Sequence, residues 1–395
     1  MSLESFVYPK PPSFAPLDPP PRLLCGPGPC NPHPRVLQAL GATELGHLDP
    51  SFLKIMDETK ELLKYVWQTK NEFTIPVSGT GTAAMEACVF NLLEPGEKFL
   101  VGCNGYFGER LGQIGERCAA TVIRMEKPWG KVFSLEEIAE QLERHRPQVL
   151  ALVHAETSTG ACQPMQGIGD LCRKYNCLLL LDTVTSISGI PVYIDNWKVD
   201  AAYAGTQKCL SCPPGMAPLT FGPRALEKLK SRKSQVPSYY LDMSLVASYL
   251  LGENGGSKRS YHHTAPINMC YAVREALYIA AEEGLEKRWK RHRENAEVFW
   301  NGLKQLGLEP LVDKEHRLTS LTTVKIPQGV DGKEVISILL NEYNIEVGGG
   351  LGELAGKVWR VGLMGYNSRP DVVLTLLAAF ENALRKVGYI KSNRF

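Results

Sequence analysis

The sequence of 395 residues has no apolar run approaching the roughly 18 residues of a membrane span, so no transmembrane helix is expected. It also lacks an excess of either charge. Its 44 basic and 42 acidic residues leave a formal charge of +2, which gives no electrostatic basis for binding nucleic acid or an anionic membrane. An even, regularly spaced cysteine framework is missing as well. The 11 cysteines are odd in number and scattered, and several, such as Cys88 and Cys177, lie in apolar runs. That favours reduced, buried thiols over a disulfide framework. Cys209 and Cys212 form one C-x-x-C, but no second pair stands at zinc-finger spacing, so no metal site is expected. The first residues, Met1-Ser-Leu-Glu-Ser-Phe6, hold no basic segment followed by an apolar one, and a secreted protein is not expected.

What is present is an alternating pattern of strands and helices. Strand-like runs fall at Phe73–Val77, Lys98–Cys103, Thr121–Met125, Val149–His154, Leu178–Leu181 and Ala201–Ala204. Helical stretches lie near 81–93, 108–118, 134–145 and 166–176, the third opening on the capping box Ser134-Leu-Glu-Glu137. A further helix is predicted over 50–68, capped by Asp49 and opened by Pro50. The alternation implies an α/β fold with a mostly parallel sheet and helices on both faces. Ahead of it, residues 8–34 hold many prolines and read as an extended arm. Beyond Met216–Phe221 and a basic helix at 224–233, the region 234–265 shows no clear periodicity. One long helical stretch at 267–306 then bridges to a smaller α+β part, with strands near 319–326 and 357–363 and helices near 332–342 and 370–387. The organisation predicted is an arm (1–30), a large domain (31–270) and a small C-terminal domain (271–395).

In such sheets ligands bind beyond the carboxyl ends of the strands. The first strand ends in Ser78-Gly-Thr80-Gly81-Thr82, which leads into a helix with small residues and hydroxyls. That is a phosphate cradle, although it lacks the lysine of a Walker loop, and Gly-Thr turns are common. The second ends near Phe107, an aromatic able to stack on a flat ring or simply to pack. The fourth ends in His154-Ala-Glu156-Thr157, a polar cluster able to contact a ring hydroxyl. The fifth ends in Asp182, after an unbroken leucine run, and the sixth runs into Thr206-Gln207-Lys208 before the rigid Cys212-Pro-Pro-Gly215. A lysine held between a buried strand and a stiff loop loses hydration, which lowers its pKa and frees a nucleophilic amine. Pyridoxal phosphate needs such an amine, and a carboxylate to keep its ring nitrogen protonated. Taken singly each residue reads as ordinary; together they are the parts of a pyridoxal-phosphate site.

Three further stretches belong with it. Cys25-Gly-Pro-Gly28-Pro-Cys30 is stiff yet lets a backbone approach closely. Arg259-Ser-Tyr261-His-His-Thr264 suits an anion, or is a polar loop satisfying its own backbone. Arg360 lies within an otherwise apolar strand, where burial costs several kcal/mol unless an anion pairs with it. That anion is either a substrate carboxylate or an internal partner, Glu353 or Asp371.

Gly26-Pro-Gly28-Pro29, Ser78-Gly-Thr-Gly81, His154-Ala-Glu156, Asp182-Thr-Val184-Thr-Ser186, Thr206-Gln-Lys208, Tyr261-His-His-Thr264 and Gly348-Gly-Gly-Leu-Gly352 with Arg360 resemble the class V pyridoxal-phosphate aminotransferases. Within that family the likeness is to the alanine–glyoxylate (serine–pyruvate) group, and it spans residues 20–388. The resemblance implies fold type I, a homodimer with shared active sites, and ping-pong transamination of small amino and 2-oxo acids. It implies that Lys208 bonds the cofactor, Asp182 answers the ring nitrogen, Phe107 stacks on the ring, Val184 lies against it and Thr157 reaches its hydroxyl. Thr80, Gly81, Thr82 and Gln207 would hold the phosphate, joined by Tyr261 and Thr264 of the other subunit, while Arg360 and Gly28 meet the substrate. Phe107 and Thr82 depart from the usual Trp and His of the animal members. The tail Asn393-Arg394-Phe395 is at most a distant relative of the peroxisomal Ser-Lys-Leu address and leaves the compartment open: an intracellular enzyme is expected, peroxisomal or cytosolic, with mitochondrial as a further alternative. Relatives acting on 3-hydroxykynurenine share most of these motifs. A cysteine desulfurase needs a thiol in a late loop, and residues 312–357 hold none. A nucleotide-binding protein using Ser78–Gly81 is the reading from another class.

Overall fold

The unbroken apolar runs read above form the centre of a seven-stranded sheet in the computed structural model, which describes residues 10–252 and 258–390. Met1–Phe6 and the tail at 393–395 lie outside the described residues. The strands are β1 (Phe73–Ser78), β2 (Lys98–Cys103), β3 (Thr121–Glu126), β4 (Val149–Val153), β5 (Leu178–Asp182), β6 (Ala201–Tyr203) and β7 (Met216–Phe221). Their order is β1-β7-β6-β5-β4-β2-β3, and β7 alone runs antiparallel to its neighbours. Every residue of β4 and β5 is buried, as a strand covered on both faces requires. Four helices join the parallel strands: α3 (Gly81–Leu92), α4 (Tyr106–Arg117), α5 (Leu135–His145) and α6 (Ile168–Lys174). The capping box of α5 is present, with Glu137 N donating to Ser134 Oγ and Ser134 N to the Glu137 carboxylate.

Before the sheet come α1 (Pro34–Leu40) and α2 (Pro50–Trp67), the latter capped by Asp49 and burying Phe52, Met56, Leu63 and Val66. After it come α7 (Pro223–Lys230), α8 (Met243–Leu250), α9 (Ile267–Glu283) and α10 (Leu285–Gln305). Three of these correct the sequence reading. α1 lies next to the proline-rich arm and is too short to show a period. α8 falls inside the stretch read as aperiodic, because Met-Ser-Leu-Val-Ala-Ser-Tyr-Leu is apolar nearly all round. The single long helix of 267–306 is two, broken at Gly284, whose φ of +82° a residue with a Cβ adopts only at a cost.

A second hydrophobic core, around Phe299, Trp359 and Phe380, is separate from that of the sheet. It is built from α10, α11 (Gly332–Tyr343) and α12 (Pro370–Lys386) over the small antiparallel sheet β8 (Leu321–Lys325), β10 (Val358–Gly362) and β9 (Gly348–Gly349). In the glycine-rich stretch after Val347, Gly348 and Gly349 pair with Arg360 and Trp359. The last residues of the arm, Leu23 to Cys30, are pinned at two places. Leu23–Leu24 pairs in parallel with Ile345–Glu346, Cys25 O accepts from Gly362 N at 2.8 Å, and Cys30 N donates to Gln207 O at 3.1 Å. It therefore runs from the small core to the loop that carries Lys208.

Candidate active site

β5 and β6 are neighbours in register, with Asp182 opposite Tyr203, so the loop leaving β6 passes over the carboxyl end of β5. Asp182 is 2 % exposed; its Oδ2 accepts from Tyr203 OH at 2.7 Å and its Oδ1 from Val184 N at 2.8 Å. Burial pushes its carboxyl up to about 7, against the pull of those two donors and of the Lys208 charge. Lys208 is 8 % exposed, and Nζ donates to the Pro27 carbonyl. Burial first, and the Arg360 guanidinium second, hold its amine down at about 8. The amine and the acid thus ionise in each other's field, one poised to lose a proton and the other to keep one. Gly28 leaves the space for this: a Cβ there would sit 2.5 Å from Lys208 Nζ, and its φ is +99°.

Arg360, on β10, reaches the same place from the small core. It is 7 % exposed, its Nε donates to Gly349 O at 2.8 Å and its Nη1 to Thr157 O at 3.3 Å. No carboxylate pairs with it among the described residues, and Asp371 is held by Arg369 instead, so the internal-partner alternative is not realised. Burial lowers its guanidinium to about 10, with the charge of Glu156 working the other way. An unpaired buried cation of this kind is a receptor for an incoming carboxylate.

Of the remaining predicted residues, Thr80, Gly81, Thr82, Phe107 and Thr157 follow the ends of β1, β2 and β4, and Gln207 follows β6. Thr80 is the N-cap of α3, and its hydroxyl makes no capping bond; the first turn of that helix holds no acid, and Gly81 is buried against Val184 and Gly205. Gln207 leaves its buried side-chain oxygen without a partner, and a half-turn of the amide presents an N–H there instead. Thr157 Oγ1 lies 2.5 Å from Thr185 Oγ1, both buried. Phe107 is half-buried in the first turn of α4, not on the strand itself. Thr82 Oγ1 accepts from Arg110 Nη1 at 3.2 Å. Tyr261 and Thr264 meet each other at 3.5 Å, with Tyr261 62 % exposed, and hydrogen-bond to nothing around Lys208 and Asp182 among the described residues. Their neighbour His263 does reach the cradle, with Nε2 2.8 Å from Ser78 Oγ.

His154 is not at the site. Its ring stands edge-on to Trp197, 5.1 Å between centroids, and 3.8 Å from Cys162 Sγ, and burial lowers its pKa to about 3. It follows directly on β4, but its side chain points to Trp197 and Cys162 rather than to Lys208 and Asp182. Glu156 beside it, by contrast, does more than the sequence suggested. Fully buried, it accepts from Phe107 N at 3.2 Å, Ser158 N at 3.0 Å and Ser158 Oγ at 2.6 Å, locking the Phe107 turn to the Thr157 turn. Tyr203 and Pro27 were also unforeseen, since the register that sets Tyr203 opposite Asp182 is decided by strand pairing.

Together these groups fit pyridoxal phosphate. A buried carboxylate with no cation bonded to it suits a protonated ring nitrogen, and a helix N-terminus with an idle hydroxyl and an unpaired amide suits a phosphate. Residues 35–374 match the model of the aminotransferase class-V family. The alanine–glyoxylate aminotransferase of Rattus norvegicus is 43 % identical over 387 residues, covering 98 % of this chain and 93 % of that protein. The (S)-ureidoglycine–glyoxylate transaminase of Bacillus subtilis is 39 % identical over 381 residues, covering 92 % and 90 %. Among solved structures, the alanine–glyoxylate aminotransferase of Nostoc sp. superposes with a TM-score of 0.92 at 58 % identity, over 94 % of this chain and 98 % of that one.

Proposed function

The chain belongs to the class V aminotransferases, and from that premise we propose that it moves the amino group of L-alanine to glyoxylate, giving pyruvate and glycine in two half-reactions. The reading rests on one observation above the others: a depressed, buried lysine and a raised, buried aspartate stand at adjacent strand ends, with an unpaired arginine beside the lysine. When bound, pyridoxal phosphate supplies an electron sink for the bond being broken at the substrate Cα. The chain supplies the rest. Lys208 would anchor the cofactor, then take the α-proton on Nζ and deliver it within the same half-reaction to the cofactor carbon it had been bonded to; the second half runs that transfer in reverse. Asp182 keeps a proton on the ring nitrogen. Arg360 receives the substrate carboxylate and so fixes which Cα bond faces Lys208. Serine as donor and pyruvate as acceptor are expected as secondary substrates.

Activity should be measured with alanine, serine, 3-hydroxykynurenine and ureidoglycine as donors against glyoxylate, pyruvate and 2-oxoglutarate. The alanine–glyoxylate pair is expected to have the highest kcat/KM; a preference for either of the last two donors would overturn the assignment within the family. Arg360→Lys should raise KM for every carboxylate substrate about 10- to 100-fold, since a point charge replaces a two-pronged donor, and leave cofactor content unchanged. An unaltered KM would remove Arg360 from the substrate site.

The proposed assembly is a homodimer, in which Tyr261 and Thr264 of each subunit complete the other's phosphate site. What supports it is the exposure of both side chains, which reach neither Lys208 nor Asp182 of their own chain. Sedimentation is expected at twice the chain mass of 43.7 kDa; a monomer that keeps full activity would rule the sharing out.

A further inference from the structure

Arg110 sits on α4 one turn beyond Phe107, and it is a cation that the protein leaves without an acid. Its neighbour Glu109 is taken by Arg124, at 3.2 Å, and Arg124 also holds Glu116 at 2.7 Å. Glu156 is committed to the backbone of Phe107 and Ser158 and to the Ser158 hydroxyl. No carboxylate forms an ion pair with Arg110 among the described residues, where its one hydrogen-bond partner is Thr82 Oγ1 at 3.2 Å. A guanidinium has five N–H donors, so most of its bonding capacity is unspent.

Its position is nevertheless held firmly. The guanidinium carbon stands 5.1 Å from the Tyr106 ring centroid and 5.0 Å from that of Phe107, close enough for a cation–π contact with each. Arg110 is half-buried, so this contact replaces part of the lost hydration. Two aromatic rings and the Thr82 hydroxyl therefore hold a half-buried positive charge against the first turn of α3. That turn already carries the partial positive charge of a helix N-terminus and contains no acid. Two positive features brought together without a counter-charge repel each other, and the arrangement makes sense only around an anion. The departures at positions 82 and 107 noted in the sequence thus meet at one side chain.

We propose that Arg110 supplies the positive charge that pairs with the phosphate of the cofactor, with Thr82, Tyr106 and Phe107 holding it in place. The inference rests on the class V reading for the identity of the anion. It adds a cofactor-binding residue that lies outside the strand-end motifs, and it makes phosphate affinity depend on a charge rather than only on neutral N–H and O–H donors.

The test is binding by cofactor-free protein, followed through tryptophan fluorescence, with pyridoxal phosphate and with pyridoxal, which has the ring but no phosphate. Arg110→Gln is expected to weaken pyridoxal phosphate binding about 10-fold or more, the loss of a charge-assisted bond, while the Kd for pyridoxal stays within about twofold. Arg110→Lys, which keeps the charge, should recover most of the affinity. Thermal melting of both variants reports whether they fold, and the lysine variant carries the comparison if the glutamine one does not. Unchanged affinity for pyridoxal phosphate in Arg110→Gln would overturn the proposal. So would an equal loss for both ligands, because Arg110 would then act only by supporting the Phe107 ring. If the unaltered protein bound neither ligand, the cofactor reading itself would fall, an outcome distinct from either of these.

Discussion

Replacing Lys208 with alanine or with arginine is expected to lower turnover by about four orders of magnitude with the fold intact. The size follows from two tasks lost together, cofactor anchoring and proton transfer at Cα, with no other lysine at the site to take them over. Lys208 is suited to both because its amine is held down at about 8, so near-neutral pH leaves a sizeable fraction unprotonated. Arginine keeps the charge and cannot give up a proton, and its added length has no room against Pro27 and Gly28. Stability should not suffer: the alanine variant removes a charge that is costly to bury, so its melting temperature is expected to equal or exceed that of the unaltered protein. Addition of an aldehyde to this amine in the cofactor-free protein should quicken as pH rises through about 8, because the neutral form is the nucleophile. Either variant turning over within tenfold of the unaltered enzyme would refute the assignment.

Asp182→Asn should lower turnover by about three orders of magnitude while cofactor stays bound. The amide keeps the shape and can still meet Tyr203 OH and Val184 N, but it is neutral and cannot hold a proton on the ring nitrogen. The same substitution has a second signature that does not depend on catalysis. In the cofactor-free chain Asp182 has its carboxyl raised from 3.8 to about 7, so between those values the folded state binds a proton that the unfolded state has lost. Its contribution to stability is therefore complete at low pH and is lost as pH rises through about 7. Asp182→Asn should flatten that part of the stability–pH curve, measured by denaturant titration. An unchanged curve would mean that the carboxyl is not buried as described, and unchanged turnover would end its catalytic role.

The sheet was legible because its strands are apolar throughout and its strand ends are not. Asp182 follows four buried leucines, and Lys208 follows a run of small residues, so both stood out where the period of a strand stops. Less legible was anything decided by a side chain's direction. His154 and Glu156 are two residues apart, yet Glu156 turns into the Phe107 turn and His154 toward Trp197, because β4 has ended at Val153 and its period no longer governs either of them. Arg360 was read as needing an anion, but only packing showed that neither Glu353 nor Asp371 is that anion. Arg110 left no mark in the sequence at all. Its meaning comes from what it touches and from the prior engagement of Glu109 and Glu156. The break at Gly284 and the apolar helix at 243–250 escaped for a common reason: periodicity locates a helical face, and it is blind both to a single kink and to a helix wrapped on most sides.

The arm has a consequence for how the enzyme comes into being. The carbonyl that receives Lys208 belongs to Pro27, the strand pairing that holds the arm comes from residues 345–346, and the arginine facing the lysine is at 360. A polypeptide leaves the ribosome from its first residues onward, so residue 27 emerges long before its seat exists. The large sheet can form while translation continues, but the lining of the lysine waits until nearly the whole chain has been made. Capture of the cofactor is on this geometry a late event of biosynthesis, and a prematurely terminated product would carry the lysine and the aspartate without a finished place for either to work.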